Sequence, residues 1–194
     1  LYIYDKRNNN MVNFMKFLCL MLLSIFSFNQ TAFSKNLSID ETIFKDVDGI
    51  DFKLSNLPGK IILIVNTASN CGFTKQYKEL QELTSRYSSA DLSIIAIPSN
   101  DFGNQEPGSN AEIKDFCESR YGITFPVMSK QIIKGQNKHS FYTWVEDNYG
   151  SKKLPTWNFH KYLINRNGEL LHSMSSHVAP SSKKFISNIE LSLK

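Results

Sequence analysis

The chain has 194 residues, a length that fits one domain, and its 22 basic and 18 acidic side chains give a formal charge of +4. No run of like charges concentrates this small excess, so the composition does not favour a nucleic-acid-binding protein. No internal repeat, low-complexity tract or linker divides residues 35–194.

Residues 1–34 have the pattern of a secretory signal peptide. Lys16 precedes an apolar run at 17–28, and a short polar stretch then ends in Ala32-Phe33-Ser34. A basic start, an apolar core and small residues before the cut are typical of such leaders, and the run is shorter than the roughly 20 residues that span a bilayer. We expect removal of 1–34 and export of residues 35–194 to the periplasm or the exterior. An apolar helix packed on the domain is the alternative.

The first half of the remaining chain alternates apolar strands with a helix. Residues 43–54, with Asp48-Gly49 between apolar residues, predict a short hairpin. The runs at 61–66 and 92–98 are continuous and apolar, which is typical of strands buried on both faces. Between them, apolar residues spaced by three and four predict a helix over 74–87. Strands connected in this way are expected to run parallel, with a right-handed crossover.

The second half adds three helices and a hairpin. Ser109 and Glu112 form a capping box, which predicts a helix that extends to about Tyr121. The other predicted elements are a short strand, a helix, a hairpin and a closing helix, at 127–128, 140–148, 157–172 and 181–193. This order predicts an α/β protein with a thioredoxin-like fold, in which a mixed central sheet carries helices on both faces.

Cys71 lies in the turn between the strand at 61–66 and the following helix. There, unpaired N–H groups and the helix dipole favour negative charge, and helix N-termini lower the pKa of a thiol. We therefore predict a reactive thiolate, with a buried structural cysteine as the alternative. Because position 74 is Thr, no Cys-x-x-Cys pair is available for dithiol exchange. A lone thiolate here is suited to attack on a peroxide oxygen, which yields a sulfenic acid.

Three motifs, in this order, resemble those of the glutathione peroxidase family. They are Asn66-Thr-Ala-Ser-Asn-Cys-Gly-Phe-Thr74, Phe102-Gly-Asn-Gln-Glu-Pro-Gly108 and Trp157-Asn-Phe159. The similarity extends over most of residues 38–194. The sequence departs from the family pattern at Ser99 and Asp101, where the family usually has Cys and Gln. These two positions flank the site and remove none of its main residues.

The resemblance implies a role for four side chains. Cys71 is the nucleophile, in the place of a cysteine or selenocysteine, and Gln105, Trp157 and Asn158 assist it. Their amide and indole N–H groups can donate hydrogen bonds that favour the sulfur anion and orient the peroxide. Without the resemblance, they would be interpreted as a loop residue, a core aromatic and a turn residue.

Cys117 indicates the subtype, since the stretch 116–122 resembles the non-selenium members that carry a resolving cysteine on this helix. Such members are reduced by thioredoxin-like proteins, and glutathione is the other candidate reductant. A small core residue is the alternative interpretation of Cys117.

The short connection at 144–155 lacks the insertion of tetrameric relatives, which implies a monomer with a site open to bulky hydroperoxides, including those of membrane lipids. The histidines show no ligand spacing, so we predict no metal and no cofactor.

The sequence therefore predicts a thiol peroxidase that reduces hydrogen peroxide and organic or lipid hydroperoxides to water or alcohols. The expected route passes through a sulfenic acid on Cys71 and an intramolecular disulfide with Cys117. Two alternatives stay open at this point. One is a redox sensor or relay that passes the oxidation of Cys71 to a partner protein. The other is a non-catalytic exported domain with a permanent disulfide between Cys71 and Cys117.

Overall fold

The computed structural model describes residues 35–194, so the predicted signal peptide lies outside the described residues. The strands of this part are β1 Ile43–Lys45, β2 Asp51–Lys53, β3 Ile61–Thr67, β4 Leu92–Pro98, β5 Lys161–Asn165 and β6 Leu170–Met174. The α-helices are α1 Gln76–Arg86, α2 Asn110–Asp115, α3 Ser140–Tyr149 and α4 Lys183–Ser192. No helix within residues 35–194 is long and apolar enough to cross a bilayer.

The central sheet has the strand order β4-β3-β5-β6. β3 pairs parallel with β4 and antiparallel with β5, so that Leu63 lies opposite both Ile94 and Leu163. β5 and β6 form an antiparallel hairpin, and β1 and β2 form a separate one. The predicted α/β class with a mixed central sheet is confirmed.

Alternation along β3 divides the core into two layers. Ile61, Leu63 and Val65 pack on one face in a cluster that includes residues of α1, α2 and α4. Ile62 and Ile64 pack on the opposite face, against residues of α3. All seven residues of β3 are buried. A central strand covered on both faces explains why its sequence is a continuous apolar run.

Three predicted boundaries differ from the structure. α1 begins at Gln76 rather than Thr74, because the chain after Cys71 first forms hydrogen-bonded turns, in which Thr74 N–H donates to Cys71 C=O at 3.0 Å. The predicted strand at 127–128 pairs only through single bridges, one of which joins Val127 to Ala96. The hairpin strand starts at Lys161 rather than 157, since Phe159 has a φ of +63°, which is incompatible with a strand.

The helix predicted from Ser109 to Tyr121 has two parts. α2 is α-helical as far as Asp115, and the chain then continues as a π-helical turn over Phe116–Arg120. The predicted capping box is confirmed, since Ser109 Oγ accepts from Glu112 N–H at 3.3 Å and Glu112 Oε2 accepts from Ser109 N–H at 2.6 Å. The box therefore stabilises the start of the helix that carries Cys117.

Replacing Ser109 with alanine removes this cap, and we expect the free energy of unfolding to fall by about 1 kcal/mol. Denaturant unfolding measures the loss. Ser119→Ala is the matched control, because the Ser119 hydroxyl lies on the same helical segment and donates to Asp115 C=O at 2.6 Å without capping an end. An equal loss in both variants would show that the cap contributes no more to the free energy of unfolding than the Ser119 hydrogen bond does.

Candidate active site

Cys71 lies in the turn between β3 and α1, and its side chain is 9% exposed. The turn is closed by Thr74, whose hydroxyl accepts from Cys71 N–H at 3.0 Å and donates to Ala68 C=O at 2.9 Å. Cys71 Sγ accepts a hydrogen bond from Phe73 N–H at 3.4 Å. A thiolate accepts such a bond more strongly than a thiol does. The turn thus fixes the position of the sulfur just beyond the carboxyl end of β3.

Thr74 is one residue whose role the sequence analysis missed. The sequence showed it only as the absent second cysteine of a Cys-x-x-Cys pair, whereas the structure makes it the side chain that closes the turn. The signal that could have identified it is a hydroxyl residue three positions after a turn residue, a spacing typical of local side-chain to backbone hydrogen bonds.

Gln105 and Asn158 meet directly, although 53 residues separate them in the chain. Asn158 Nδ2 donates to Gln105 Oε1 at 3.0 Å and lies 3.4 Å from Phe102 C=O. Gln105 C=O accepts from Asn70 N–H at 2.9 Å, which ties it to the residue before Cys71. Because Gln105 Oε1 is occupied by Asn158, the Gln105 amide N–H groups are left as donors.

Trp157 lies at the surface beside this pair, with 38% of its side chain exposed. Its ring is tilted against that of Phe102, with centroids 6.2 Å apart. Gly103 has a φ of +67°, and a Cβ on it would come within 3.3 Å of Trp157 Cη2. The second motif therefore needs a glycine at this position both for its backbone and for the indole.

Asn66, at the end of β3, positions the Trp157 segment. Its Nδ2 donates to Trp157 C=O at 3.2 Å, and its Oδ1 accepts from His160 N–H at 3.1 Å. Its C=O accepts from Phe159 N–H at 2.6 Å. These bonds hold Phe159 in the left-handed region, at φ +63°, which a bulky residue adopts only under such constraint.

The structure brings the predicted site residues into one network but does not aim their donors at the sulfur. Among the described residues, the side chains of Gln105, Trp157 and Asn158 make no hydrogen bond to Cys71 Sγ. The amide of Asn158 is already committed to Gln105. Hydrogen bonds of an active site often tighten only when substrate is bound. The N–H groups of Gln105 and Trp157 remain as donors beside the turn that carries Cys71.

The two departures from the family pattern have structural roles. Asp101 Oδ2 accepts from Ile133 N–H at 2.6 Å and from Lys134 N–H at 3.0 Å. Ser99 is buried, and its N–H donates to Thr67 C=O at 3.1 Å. The extra carboxylate is therefore engaged by a neighbouring loop.

Cys117 is fully buried and lies in the π-helical turn. Burial raises the pKa of its thiol to about 11, the Tyr77 hydroxyl acts against this shift, and the charges of Glu106 and Glu118 add to it. Cys71 and Cys117 are both free thiols and belong to the same packed cluster. In this conformation Cys117 is a protonated core side chain.

Glu106, beside Gln105 in the second motif, is a second residue that the sequence analysis did not identify. Its side chain is 1% exposed, and burial raises the pKa of its carboxyl group. The nearby polar groups of Ser69 and the charge of Lys130 lower this pKa in part. The sequence did contain a signal for Glu106, because an acidic residue stands between Gln105 and Pro107 within the second motif.

His160 and His139 have structural roles. Burial lowers the pKa of His160 to about 4, with the charges of Lys161 and Lys153 adding to the shift, and its Nε2 lies 2.9 Å from Ser173 Oγ. His139 stacks on Phe44, with ring centroids 4.1 Å apart. Within residues 35–194, no three His, Cys, Asp or Glu side chains are grouped to hold a metal ion.

Comparison with known sequences identifies the family. A family model described as glutathione peroxidase matches residues 39–146, more than half of the chain. Glutathione peroxidase-like peroxiredoxin 2 of Saccharomyces cerevisiae is 45% identical over 142 residues, which cover 71% of this chain and 87% of that protein. The hydroperoxy fatty acid reductase gpx1 of Synechocystis is 39% identical over 142 residues, 69% of this chain and 84% of that protein.

Solved structures give the same result for the fold. GPX1 of T. cruzi superposes with a TM-score of 0.61 at 27% identity, covering 81% of this chain and 96% of that one. A thioredoxin-like protein from Aeropyrum pernix, at 15% identity, superposes with a TM-score of 0.55 over 77% of this chain and 88% of its own. The predicted thioredoxin-like fold is thereby confirmed. The chain belongs to the glutathione peroxidase family and is a peroxidase.

Proposed function

We propose that the chain reduces hydrogen peroxide and organic hydroperoxides, with the Cys71 thiolate as the attacking group. The main support for this proposal is the position of Cys71. In its turn, Phe73 N–H donates to Sγ, and Asn70 N–H donates to Gln105 C=O. The sulfur attacks the terminal peroxide oxygen, and the O–O bond breaks. The alkoxide or hydroxide takes up a proton and leaves as alcohol or water, and Cys71 becomes a sulfenic acid.

Gln105 and Trp157 are suited to stabilise the charge that develops on the leaving oxygen. Gln105 keeps its N–H groups available because Asn158 occupies its carbonyl oxygen. Trp157 Nε1 has no hydrogen-bond partner among the described residues, and its ring is partly exposed beside the same loop. Donors held in place before the reaction lower the barrier most, since they need no reorganisation. Asn158 then acts by fixing Gln105.

The second step of this proposal joins Cys117 to the oxidised Cys71 in an intramolecular disulfide. Cα atoms of a disulfide lie about 6 Å apart. If the two cysteines are further apart than this, the helix that carries the buried Cys117 opens locally in this step. The π-helical turn over Phe116–Arg120 supports this, because such turns break the regular hydrogen-bond pattern. A thioredoxin-like protein or glutathione would reduce the disulfide.

The site also supports large substrates. Trp157 is partly exposed, and the connection from α3 to the Trp157 segment consists of a short 3₁₀ turn, Ser151–Lys153, and a few flanking residues. A monomer with this open site could admit lipid hydroperoxides, a substrate class in accord with the name of the Synechocystis relative.

Export remains part of the proposal, because it rests on the sequence pattern of residues 1–34 alone. In a host that recognises the leader, we expect the mature protein to begin at Lys35. Mass spectrometry of the exported protein measures its N-terminus. Recovery of an uncleaved chain would contradict the signal peptide, while leaving the chemistry at Cys71 untouched.

Stoichiometric peroxide should oxidise the two thiols in a defined order. In the reduced protein we expect an intramolecular disulfide between Cys71 and Cys117. In Cys117→Ser we expect a sulfenic or over-oxidised Cys71, since no second thiol can resolve it. Intact-mass and peptide mass spectrometry distinguish these products, with Cys71→Ser as the inert control. Unchanged thiols in the reduced protein would end the peroxidase proposal.

Trp157→Phe tests the indole as a hydrogen-bond donor, because it keeps an aromatic ring and removes the N–H. We expect the rate constant for peroxide oxidation of Cys71 to fall by about 100-fold. Trp144→Phe is the matched control, since Trp144 Nε1 donates to Lys35 C=O at 2.7 Å, away from the site. Rapid-quench alkylation with mass spectrometry measures both. Equal rates in the two variants would exclude the indole from the chemistry.

A further inference from the structure

Glu106 carries a buried carboxyl group that the first chemical step does not use. Its side chain is 1% exposed, and Oε2 is buried without a hydrogen-bond partner among the described residues. Its N–H donates to Asn100 Oδ1 at 2.8 Å, which fixes the backbone from which the side chain extends. A buried carboxyl oxygen without a hydrogen-bond partner is costly, so its retention calls for an explanation in function.

A cavity of about 190 Å³ places this group between the two cysteine-bearing elements. One side is lined by Ser69 and Asn70, which precede Cys71, and the other by Ile113 and Phe116, which precede Cys117. Ser69 Oγ is a second buried polar atom without a partner there. The cavity is large enough for water and lies between the turn that holds Cys71 and the helix that carries Cys117.

The charges around the cavity single out Glu106. The other carboxylate in its lining, Glu112, is engaged with Ser109 in the capping box. Lys130 donates to the main chain of Glu106, with Nζ 3.4 Å from Glu106 C=O. The charge of Glu106 raises the pKa of both Cys117 and Tyr77, in addition to the larger effect of burial. Glu106 is therefore within electrostatic reach of the Cys117 thiol.

We propose that Glu106 carries the proton in the step that joins Cys117 to the sulfenic acid of Cys71, an inference that rests on the proposed function. As the helix opens, the Glu106 carboxylate accepts the proton of the Cys117 thiol. The thiolate attacks the sulfur of the Cys71 sulfenic acid, the S–S bond forms and the S–O bond breaks. The departing hydroxide takes the proton from Glu106 and leaves as water, which restores the carboxylate.

The state of Cys117 in the reduced protein explains the need for a base. With a pKa of about 11, its thiol is almost fully protonated at neutral pH, and only a thiolate attacks sulfur efficiently. A buried carboxyl group with a raised pKa is a stronger base than an exposed one, and it is also a better match to neutral pH. Ser69 and a water in the cavity could complete the path.

A purely electrostatic role for Glu106 predicts the opposite effect. Its negative charge disfavours the Cys117 thiolate, so removal of the charge alone should leave disulfide formation unchanged or make it faster. Removal of a proton acceptor should make it slower. Glu118 supplies the matched case, because it is exposed on the helix and its charge also raises the pKa of Cys117.

The test measures disulfide formation in Glu106→Gln and Glu118→Gln after a pulse of hydrogen peroxide, by rapid-quench alkylation and mass spectrometry. We expect E106Q to form the disulfide about 100-fold more slowly and to accumulate over-oxidised Cys71. We expect E118Q to match or exceed the wild-type rate. In the wild type, the rate should rise with pH through the titration of a carboxyl group, and this rise should be absent in E106Q.

A wild-type or faster rate of disulfide formation in E106Q overturns the inference. If E106Q fails to fold, Glu106→Asp provides the test. This variant should shift the pH at which the rate of disulfide formation rises, and an unchanged pH profile would contradict the role of Glu106. Failure of the proposed function is distinguishable, since Cys71 of the wild type would then not be oxidised at all. Oxidation of Cys71 with normal resolution in E106Q overturns only the role of Glu106.

Discussion

The side chain of Asn66 is the interaction on which the site depends. It is 1% exposed at the carboxyl end of β3 and binds the main chain at Trp157 and His160, more than 90 residues further along the chain. The turn that holds Cys71 begins at the same end of β3. The Asn66 side-chain amide therefore fixes the position of this turn relative to the Trp157 segment. A buried amide with lost partners costs about 1–3 kcal/mol for each unsatisfied group, which makes this junction hard to rearrange.

Further buried hydrogen bonds connect the Trp157 segment to the residues after β6 and to α1. Ser176 Oγ donates to Asn158 C=O at 2.6 Å, and Gln76 Nε2, on α1, donates to Ser176 C=O at 2.8 Å. Lys161 is fully buried and donates to Val178 C=O at 2.9 Å, and burial lowers its pKa to about 7. The residues after β6 are thereby fastened between α1 and the site. Networks of this kind fix a geometry more firmly than surface contacts do.

The sequence predicted those features that depend on local pattern. The bounds of β4 match the predicted run at 92–98, since a strand covered on both faces is apolar throughout. The cap at Ser109 was likewise readable from residue types and spacing. The left-handed Phe159 and the π-helical turn at Cys117 were not, because contacts from distant parts of the chain impose them. The donors at Gln105, Trp157 and Asn158 needed the family resemblance, as no local rule separates them from ordinary loop residues.

The two cysteines occupy environments of opposite kind, and this contrast makes a two-step reaction physically reasonable. Cys71 lies in the turn after a strand that is buried throughout, and Thr74 and Phe73 fix its position there. Cys117 is fully buried and lies in a short helical segment with an irregular turn. A peroxide therefore meets one thiol that is positioned for attack and one that is withheld. In the proposed second step, opening of the helix would expose Cys117, so the rate of that step would depend on local unfolding and on the base that takes the proton of the thiol. The cavity that holds Glu106 lies beside this helix.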